Sequence, residues 1–392
     1  MIKRILKIVP KWTIASLLFF TQIHAQTDWT SPSCDSICET NECYNSFWTE
    51  ADYLYWTIQN SPESTPLVIQ DSTSVVLGGK NIDTGWRSGA RAALGCWFDH
   101  NHCCGGEVNY FFLSNASKKY SVSSDGLPGS SLLAVPYFNV VTSSTDSNPI
   151  ASPLLAFAGT AKLKLTNEMQ GAELNALTTL PSFYCGSKFI VLTGFRFWNF
   201  REQLTFSTNS PFIPPHVADI YITKDEFNTK NNFYGGQLGL IWEYDWNCLS
   251  ITAKGKVALG AMCESLMING HLLTNDYDGF GSVLEYPGGY FALPTNIGKH
   301  TQTKFAAIPE FHFNVGYPLF DWMEIKLCYT FMYVSSVLWA GQQIDPNINP
   351  TQAVSYTGAV PPLLLGDASP KASLKTNGLW VQGLNVGLEI RF

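Results

Sequence analysis

The 392-residue chain carries 24 Lys and Arg against 31 Asp and Glu, a net charge of −7, and only 14% of it is charged, where soluble domains usually carry roughly 25%. Aromatic residues are also 14% and the mean hydropathy is close to zero, too polar for a bundle of membrane helices, each of which needs about 18 consecutive apolar residues. The acidic balance argues against nucleic acid as a partner.

Residues 1–25 read as a secretory signal peptide. Lys3, Arg4, Lys7 and Lys11 form a basic start, Trp12 to Phe20 a short apolar core, and Ile23-His24-Ala25 a cleavage site with a small residue before the cut. No Cys follows the apolar core closely, so a lipid-anchored N-terminus is not expected. Removing the signal takes four basic residues and no acidic one, leaving 20 against 31 and a net charge of −11. Residues 26–45, Gln26 to Asn45, are rich in Ser, Thr, Pro and Cys and show no periodicity, so they read as a periplasmic tail.

From residue 46 a different pattern takes over and holds to Phe392. Near Phe47–Ile58, Ala51, Tyr53 and Tyr55 share one face, with Glu50 and Asp52 opposite. Near Gly85–Phe98, Trp86, Ala90, Ala92, Leu94, Cys96 and Phe98 alternate with Arg87, Gly89, Arg91, Ala93 and Gly95. Period-2 alternation of this kind is a strand with one apolar and one polar face. Further strands are predicted at Gly106–Leu113 and Ala158–Leu177, and around Phe189–Trp198, Tyr234–Tyr244, Leu249–Gly260, Lys304–Tyr317, Glu324–Tyr333 and Leu384–Phe392. Pro309 interrupts one of them and predicts a bulge, because it cannot donate to a ladder. The connections alternate between short turns (99–105, 181–187, 245–248, 318–321) and long loops rich in polar residues, Gly and Pro.

About ten strands, short and long connections in strict alternation, and aromatics beside the short turns predict an all-β fold. It is a transmembrane antiparallel β-barrel of about 10 strands (10–12), with long extracellular loops and short periplasmic turns. A soluble β-sandwich would not sort its connections so evenly. The barrel is expected over 46–392, in a bacterial outer membrane and in contact with its lipid. The last strand, ending on Phe392, is read as the assembly signal, since closure leaves no free strand edge in lipid.

The chain also resembles a known family. Trp86-Arg87-Ser88-Gly89-Ala90-Arg91 with Leu94-Gly95, Tyr110-Phe111-Phe112-Leu113 and Gln170-Gly171-Ala172-Glu173-Leu174-Asn175 come first. Asn232-Phe233-Tyr234-Gly235-Gly236-Gln237-Leu238-Gly239, Tyr286-Pro287-Gly288-Gly289 and Ala292-Leu293-Pro294-Thr295-Asn296-Ile297-Gly298 follow. Gln343-Ile344-Asp345-Pro346 and the terminal Gln382-Gly383-Leu384-Asn385-Val386-Gly387-Leu388-Glu389 close the set. In this order they resemble the putative β-barrel porin-7 family of bacterial outer-membrane proteins, from about Phe47 to Phe392. The resemblance implies a barrel and porin activity; it supplies no catalytic or ligand residues.

The inward parity carries the candidate pore-lining charges: Arg87, Arg91, Glu107, Glu173, Arg196, Glu243, Lys254, Lys256, Lys304 and Glu310. Glu50, Asp52, Glu324, Lys326, Glu389 and Arg391 share it. Two readings stay open. These side chains line a conducting path and set its selectivity, or they pair with one another and fill a small barrel. The expected function is a porin for passive diffusion of small hydrophilic solutes or ions; the alternative is a surface structural protein or adhesin whose barrel only anchors long extracellular loops.

No cofactor, metal site or enzyme activity is expected. His100, His102, Cys103 and Cys104 sit in one turn too cramped to surround an ion. The loop residues His216, Asp219, His271, Asp276 and His300 show no dyad or triad spacing. Gly235-Gly236 and Gly288-Gly289 precede no helix pattern, so they are not phosphate loops. Cysteine in an exported chain reads as disulfide. Cys34, Cys38 and Cys43 of the tail and Cys103, Cys104, Cys185 and Cys248 of the short turns are the candidates, with bonds to other envelope proteins as one outcome. The pairing is not given by sequence.

Overall fold

The computed structural model describes residues 46–181, 186–211, 213, 220–246, 248–275, 282–358 and 360–392. The signal and the tail expected over 1–45 lie outside the described residues. Ten strands form the wall: β1 (Phe47–Ile58), β2 (Trp86–Trp97), β3 (Cys104–Ser124), β4 (Gly159–Leu180), β5 (Ser187–Asn209), β6 (Tyr221–Trp246), β7 (Leu249–Thr274), β8 (Gly298–Phe320), β9 (Met323–Leu338) and β10 (Thr376–Arg391). Each pairs antiparallel with its neighbours in sequence, and β1 pairs with β10 from Trp48↔Arg391 to Ile58↔Val381, so the sheet closes on itself. Among the described residues no helix is long and apolar enough to cross a membrane; this chain crosses with strands.

The seam is sealed at the end of the chain. Phe47 and Phe392 exchange backbone hydrogen bonds of 2.9 Å in both directions, and their rings stack at 6.4 Å. The outer surface bears a tall apolar band because lipid offers no partner for polar groups. Leu384, Val386 and Leu388 lie exposed on it, while Asn385 and Glu389 of the same strand are buried. Aromatic pairs bound the band at both rims. Tyr55–Trp86 and Phe197–Tyr234 sit at the upper edge, and Phe320–Trp322 beside the short turn.

The expected order of strands stands, but several run well past their predicted ends. Predicted loops at 114–124 and 263–274 are strand. The wall is therefore uneven: β3 to β8 have 21–26 residues, whereas β1 and β2 have 12 and β9 and β10 have 16. Pro309 forms no bulge. The β7–β8 register runs unbroken through Val257↔Pro309. Its ring nitrogen faces the other side, since Ala307, of the same parity, donates its N–H there to Ser335 Oγ at 2.9 Å. Pairing of β8 with β9 begins only at Glu310, so Pro309 stands where no ladder bond is lost.

The long connections build a second, small sheet from Pro66–Gln70, Ser74–Gly78, Leu133–Asn139, Ser144–Ala151 and Asn347–Ile348. Its apolar residues Leu67, Val68, Leu133 and Val135 are buried in one cluster with inward residues of the upper wall such as Leu163, Phe206 and Phe227.

Candidate functional site: the barrel interior

The interior is layered from the short turns upward. In the lowest layer Lys326 pairs with Glu389 and lies 3.6 Å from Glu50, while Arg391 reaches Glu324 at 2.9 Å and Glu389 at 2.6 Å. Glu243 and Lys254 are partly buried at this end. Every one of these charges was readable from inward parity alone.

The middle layer is a buried charge network. Glu310 on β8 is its hub, with Arg196 at 2.5 Å, Lys256 at 3.6 Å, Arg91 at 3.9 Å and His312 Nε2 at 2.6 Å. Glu173 on β4 takes Lys256 at 2.6 Å and Arg196 at 3.7 Å. Asp52 lies 3.9 Å from Arg91. Glu107 is tied in through Asn175, whose amide donates to it at 3.1 Å. Arg196 is wholly buried. Charges so far from water persist only when paired and hydrogen-bonded, and here three cations and four carboxylates from seven strands meet. Arg91, Glu107, Glu173, Arg196, Lys256 and Glu310 are thus brought together. His312 was not singled out by sequence; its signal was its place two residues from Glu310 on the same inward face.

Above the network the interior turns aromatic. Trp56, Phe111, Trp198, Phe200, Phe233 and Trp339 are almost fully buried in one cluster with Met169, Met262 and Met332. Trp56 donates Nε1–H to Asn385 Oδ1 at 2.5 Å and packs on Phe111 at 5.6 Å. The Arg91 guanidinium lies 5.6 Å from the Trp56 ring, joining the two layers. Trp339 comes from the last long loop and meets Phe200 edge-on at 5.4 Å.

At the mouth, inward polar groups of the wall hold loop backbone. Asp225 accepts the N–H groups of Tyr290 at 3.0 Å, Phe291 at 3.1 Å and Ala292 at 2.7 Å. A Cβ at Gly289 would collide with the Asp225 carboxylate, so the close approach requires that glycine, and Gly288 is required by its φ of +109°. Asn231 bonds both N–H and C=O of Leu338, at 2.8 and 3.1 Å, and Glu202 accepts from Ala340 N at 2.9 Å. Two segments are thereby fastened into the barrel: Tyr290–Leu293 and Trp339–Gly341.

Arg87 belongs to this upper level, not to the network of Arg91. It donates to Asn167 Oδ1 and Thr84 Oγ1, each at 2.6 Å. Lys304 is exposed on the stretch of β8 that pairs with β7 but not with β9, and it donates to Thr376 Oγ1 at 2.9 Å. Cys103, Cys104 and Cys248 are exposed free thiols at the short-turn end, and Cys34, Cys38, Cys43 and Cys185 lie outside the described residues. Asp99 accepts from the backbone of Cys104 and Cys103, which holds its carboxyl below the usual range.

A family model described as putative beta barrel porin-7 matches residues 48–392. The chain belongs to this family. It is an outer-membrane β-barrel of the bacterial cell envelope. The outer membrane protease OmpT from Escherichia coli is 8% identical, with 90% of this chain and 99% of that chain covered and a TM-score of 0.43. The toluene transporter TbuX of Ralstonia pickettii is 10% identical, with 89% and 90% covered and a TM-score of 0.24. The toluene transporter TodX of P. putida is 8% identical, with 89% and 90% covered and a TM-score of 0.20. At such scores these likenesses carry no argument about activity. Among proteins with curated descriptions, none matches the chain.

Proposed function

We propose that the protein is an outer-membrane anchor, closed along its axis at rest, that holds a folded assembly of extracellular loops at the cell surface. The observation that carries this reading is the aromatic layer. Trp56, Phe111, Trp198, Phe200 and Phe233 come from the wall itself, so withdrawal of the loops alone would leave the layer in place. Beneath it, each inward cation of the middle network has a carboxylate partner, which suits the filled-barrel reading of the inward charges.

A second reading, passive diffusion of small hydrophilic solutes, is favoured by one observation. The two lower layers are lined by charge, as a wetted path would be. Planar-bilayer recording of the refolded, heat-modifiable protein separates the two. The expected result is insertion without discrete conductance steps. Ion-conducting steps in the unmodified protein would overturn the anchor reading and establish the porin one.

A further inference from the structure

Phe197 and Tyr234, with ring centroids 5.4 Å apart, mark the upper edge of the lipid band. Above them the wall of β3–β6 continues, and its outward face becomes basic. Two outward positions higher, Arg201 stands directly opposite Lys230 on one side and Glu168 on the other. Four positions higher, Lys164 stands opposite Lys119. One step above, Lys162 and Lys224 flank Ser207. At about 3.3 Å per residue and a tilt near 40°, the first tier lies roughly 10 Å and the second roughly 20 Å above the aromatic edge. All six basic side chains are exposed.

Like charges placed directly across a ladder destabilise it. Here that arrangement occurs twice, Lys119 with Lys164 and Arg201 with Lys230, in a chain whose net charge is −7. Two carboxylates offset part of it: Glu168 reaches Arg201 at 3.0 Å and Glu226 reaches Lys224 at 2.7 Å. Among the described residues Lys119, Lys162, Lys164 and Lys230 show no ion pair. A concavity of about 590 Å³ opens at the lower tier, lined by Asn115, Glu168, Arg201, Asn228 and Lys230 among others.

We propose that this face binds the phosphate groups of a phosphorylated glycolipid in the outer leaflet. Arg201 and Lys230 take the phosphate next to the acyl chains, and Lys119 and Lys164 one farther out in the headgroup. The position selects the partner. The patch lies on the lateral wall at headgroup height, where lipid is the neighbour, and its sign is opposite to the protein's own. An anion between the paired cations removes the repulsion that the ladder otherwise carries. The inference goes beyond the anchor reading and needs only that the barrel sits in the outer membrane.

The test uses the full chain, refolded and verified by heat-modifiable mobility, titrated with a fluorescent bisphosphorylated glucosamine glycolipid and with its dephosphorylated form. The parent is expected to prefer the phosphorylated form by about tenfold or more, with the preference shrinking as salt rises. The quadruple variant Lys119→Gln, Lys164→Gln, Arg201→Gln, Lys230→Gln should bind it on the order of a hundredfold more weakly, each charge contributing several-fold at an anionic surface. The loop variant Lys80→Gln, Lys371→Gln should bind as the parent does. Should the quadruple variant not refold, Arg201→Gln with Lys230→Gln is read in its place. Equal binding of the two glycolipids, an unaffected patch variant, or an equal loss in the loop variant overturns the proposal. So does displacement of the glycolipid by inorganic phosphate at matching concentration, which would mean that a free anion rather than a lipid is the ligand.

Discussion

Strand β4 obeys opposite rules in its two halves. From Ala172 to Leu180 it exposes Leu174 and buries Glu173 and Asn175; from Lys162 to Glu168 it exposes Lys162 and Lys164 and buries Leu163 and Leu165. The same inversion runs through β6, where Leu238 faces out and Gln237 in below, while Lys224 faces out and Phe227 in above. The pleat never changes. What changes is the solvent outside it: lipid around the lower half, headgroups and water around the upper. The interior follows by difference. Where the outside must be apolar the inside holds charge, and where the outside is wet the inside becomes an ordinary apolar core that loops can join.

The comparison breaks most sharply at the charge network of the lower half. Glu310→Ala would leave Arg196, Lys256 and Arg91 with one fewer carboxylate in a buried site. Breaking a buried ion cluster on one side costs about 3–5 kcal/mol, and urea titration of the barrel refolded in phospholipid vesicles should show a loss of that size. The conservative Glu310→Gln should recover little of it, because the charge and not the shape is missing. A loss below about 1 kcal/mol would mean that water reaches these groups, and would favour the conducting reading.

In the upper half the corresponding break is apolar. Trp339→Ala empties a fully buried site against Phe200 and is expected to cost about 3 kcal/mol, read as a lower urea midpoint. Conductance should stay absent, because the wall's own Trp56, Trp198 and Phe233 remain. Conducting steps in this variant would show that the loop segment, rather than the wall, closes the axis.

Asp225 tests how the loops are joined to that core. Asp225→Ala removes the acceptor of three buried backbone N–H groups. The expected effect is local, about 2 kcal/mol of lost protection at Tyr290, Phe291 and Ala292 in hydrogen exchange, with the urea midpoint of the wall little changed. Matching losses in both would show that loop and wall unfold as one unit.

The lower half was legible because its rule is simple. Period 2 with apolar residues outward gave the strands, their order, their short turns and the inward parity of Arg91, Glu173, Arg196, Lys256 and Glu310. The upper half was not, because the same period continues with its sign reversed. Residues such as Lys119, or Lys224 and Lys230, break an apolar-outward pattern without breaking the strand, so the strands predicted there are too short. The loop segments Tyr290–Leu293 and Trp339–Gly341 carry no periodicity at all. Their burial is decided by acceptors far away in sequence, Asp225, Asn231 and Glu202, and polar residues inside a strand look alike whether they face water or a loop backbone. Arg87 illustrates the limit. It shares parity with Arg91, yet one hydrogen-bonds to Asn167 at the mouth and the other sits in the network below the aromatic layer.

The smallest expected effect concerns Glu63, in the loop between β1 and β2. Its carboxylate is fully buried; one oxygen accepts Thr65 N–H at 3.0 Å and the other has no hydrogen-bond partner. Burial, with Glu202 nearby adding repulsion, pushes its pKa up to about 8 despite that hydrogen bond. Because the folded value lies above the unfolded one of roughly 4.3, the neutral acid is the form the fold favours. Its stabilisation is fully present below that unfolded value and is lost as pH rises through about 8. Since only this loop need detach, the loss is bounded by the free energy of local opening, on the order of 1–2 kcal/mol. Amide exchange at Ser61 to Thr65, corrected for its intrinsic pH dependence, should therefore lose protection between pH 6 and pH 9 in the parent (two test conditions roughly 1–2 units either side of that value). In Glu63→Gln, which keeps the shape and cannot ionise, protection should not change across the same range. Parallel curves for the two proteins would place the titrating group elsewhere.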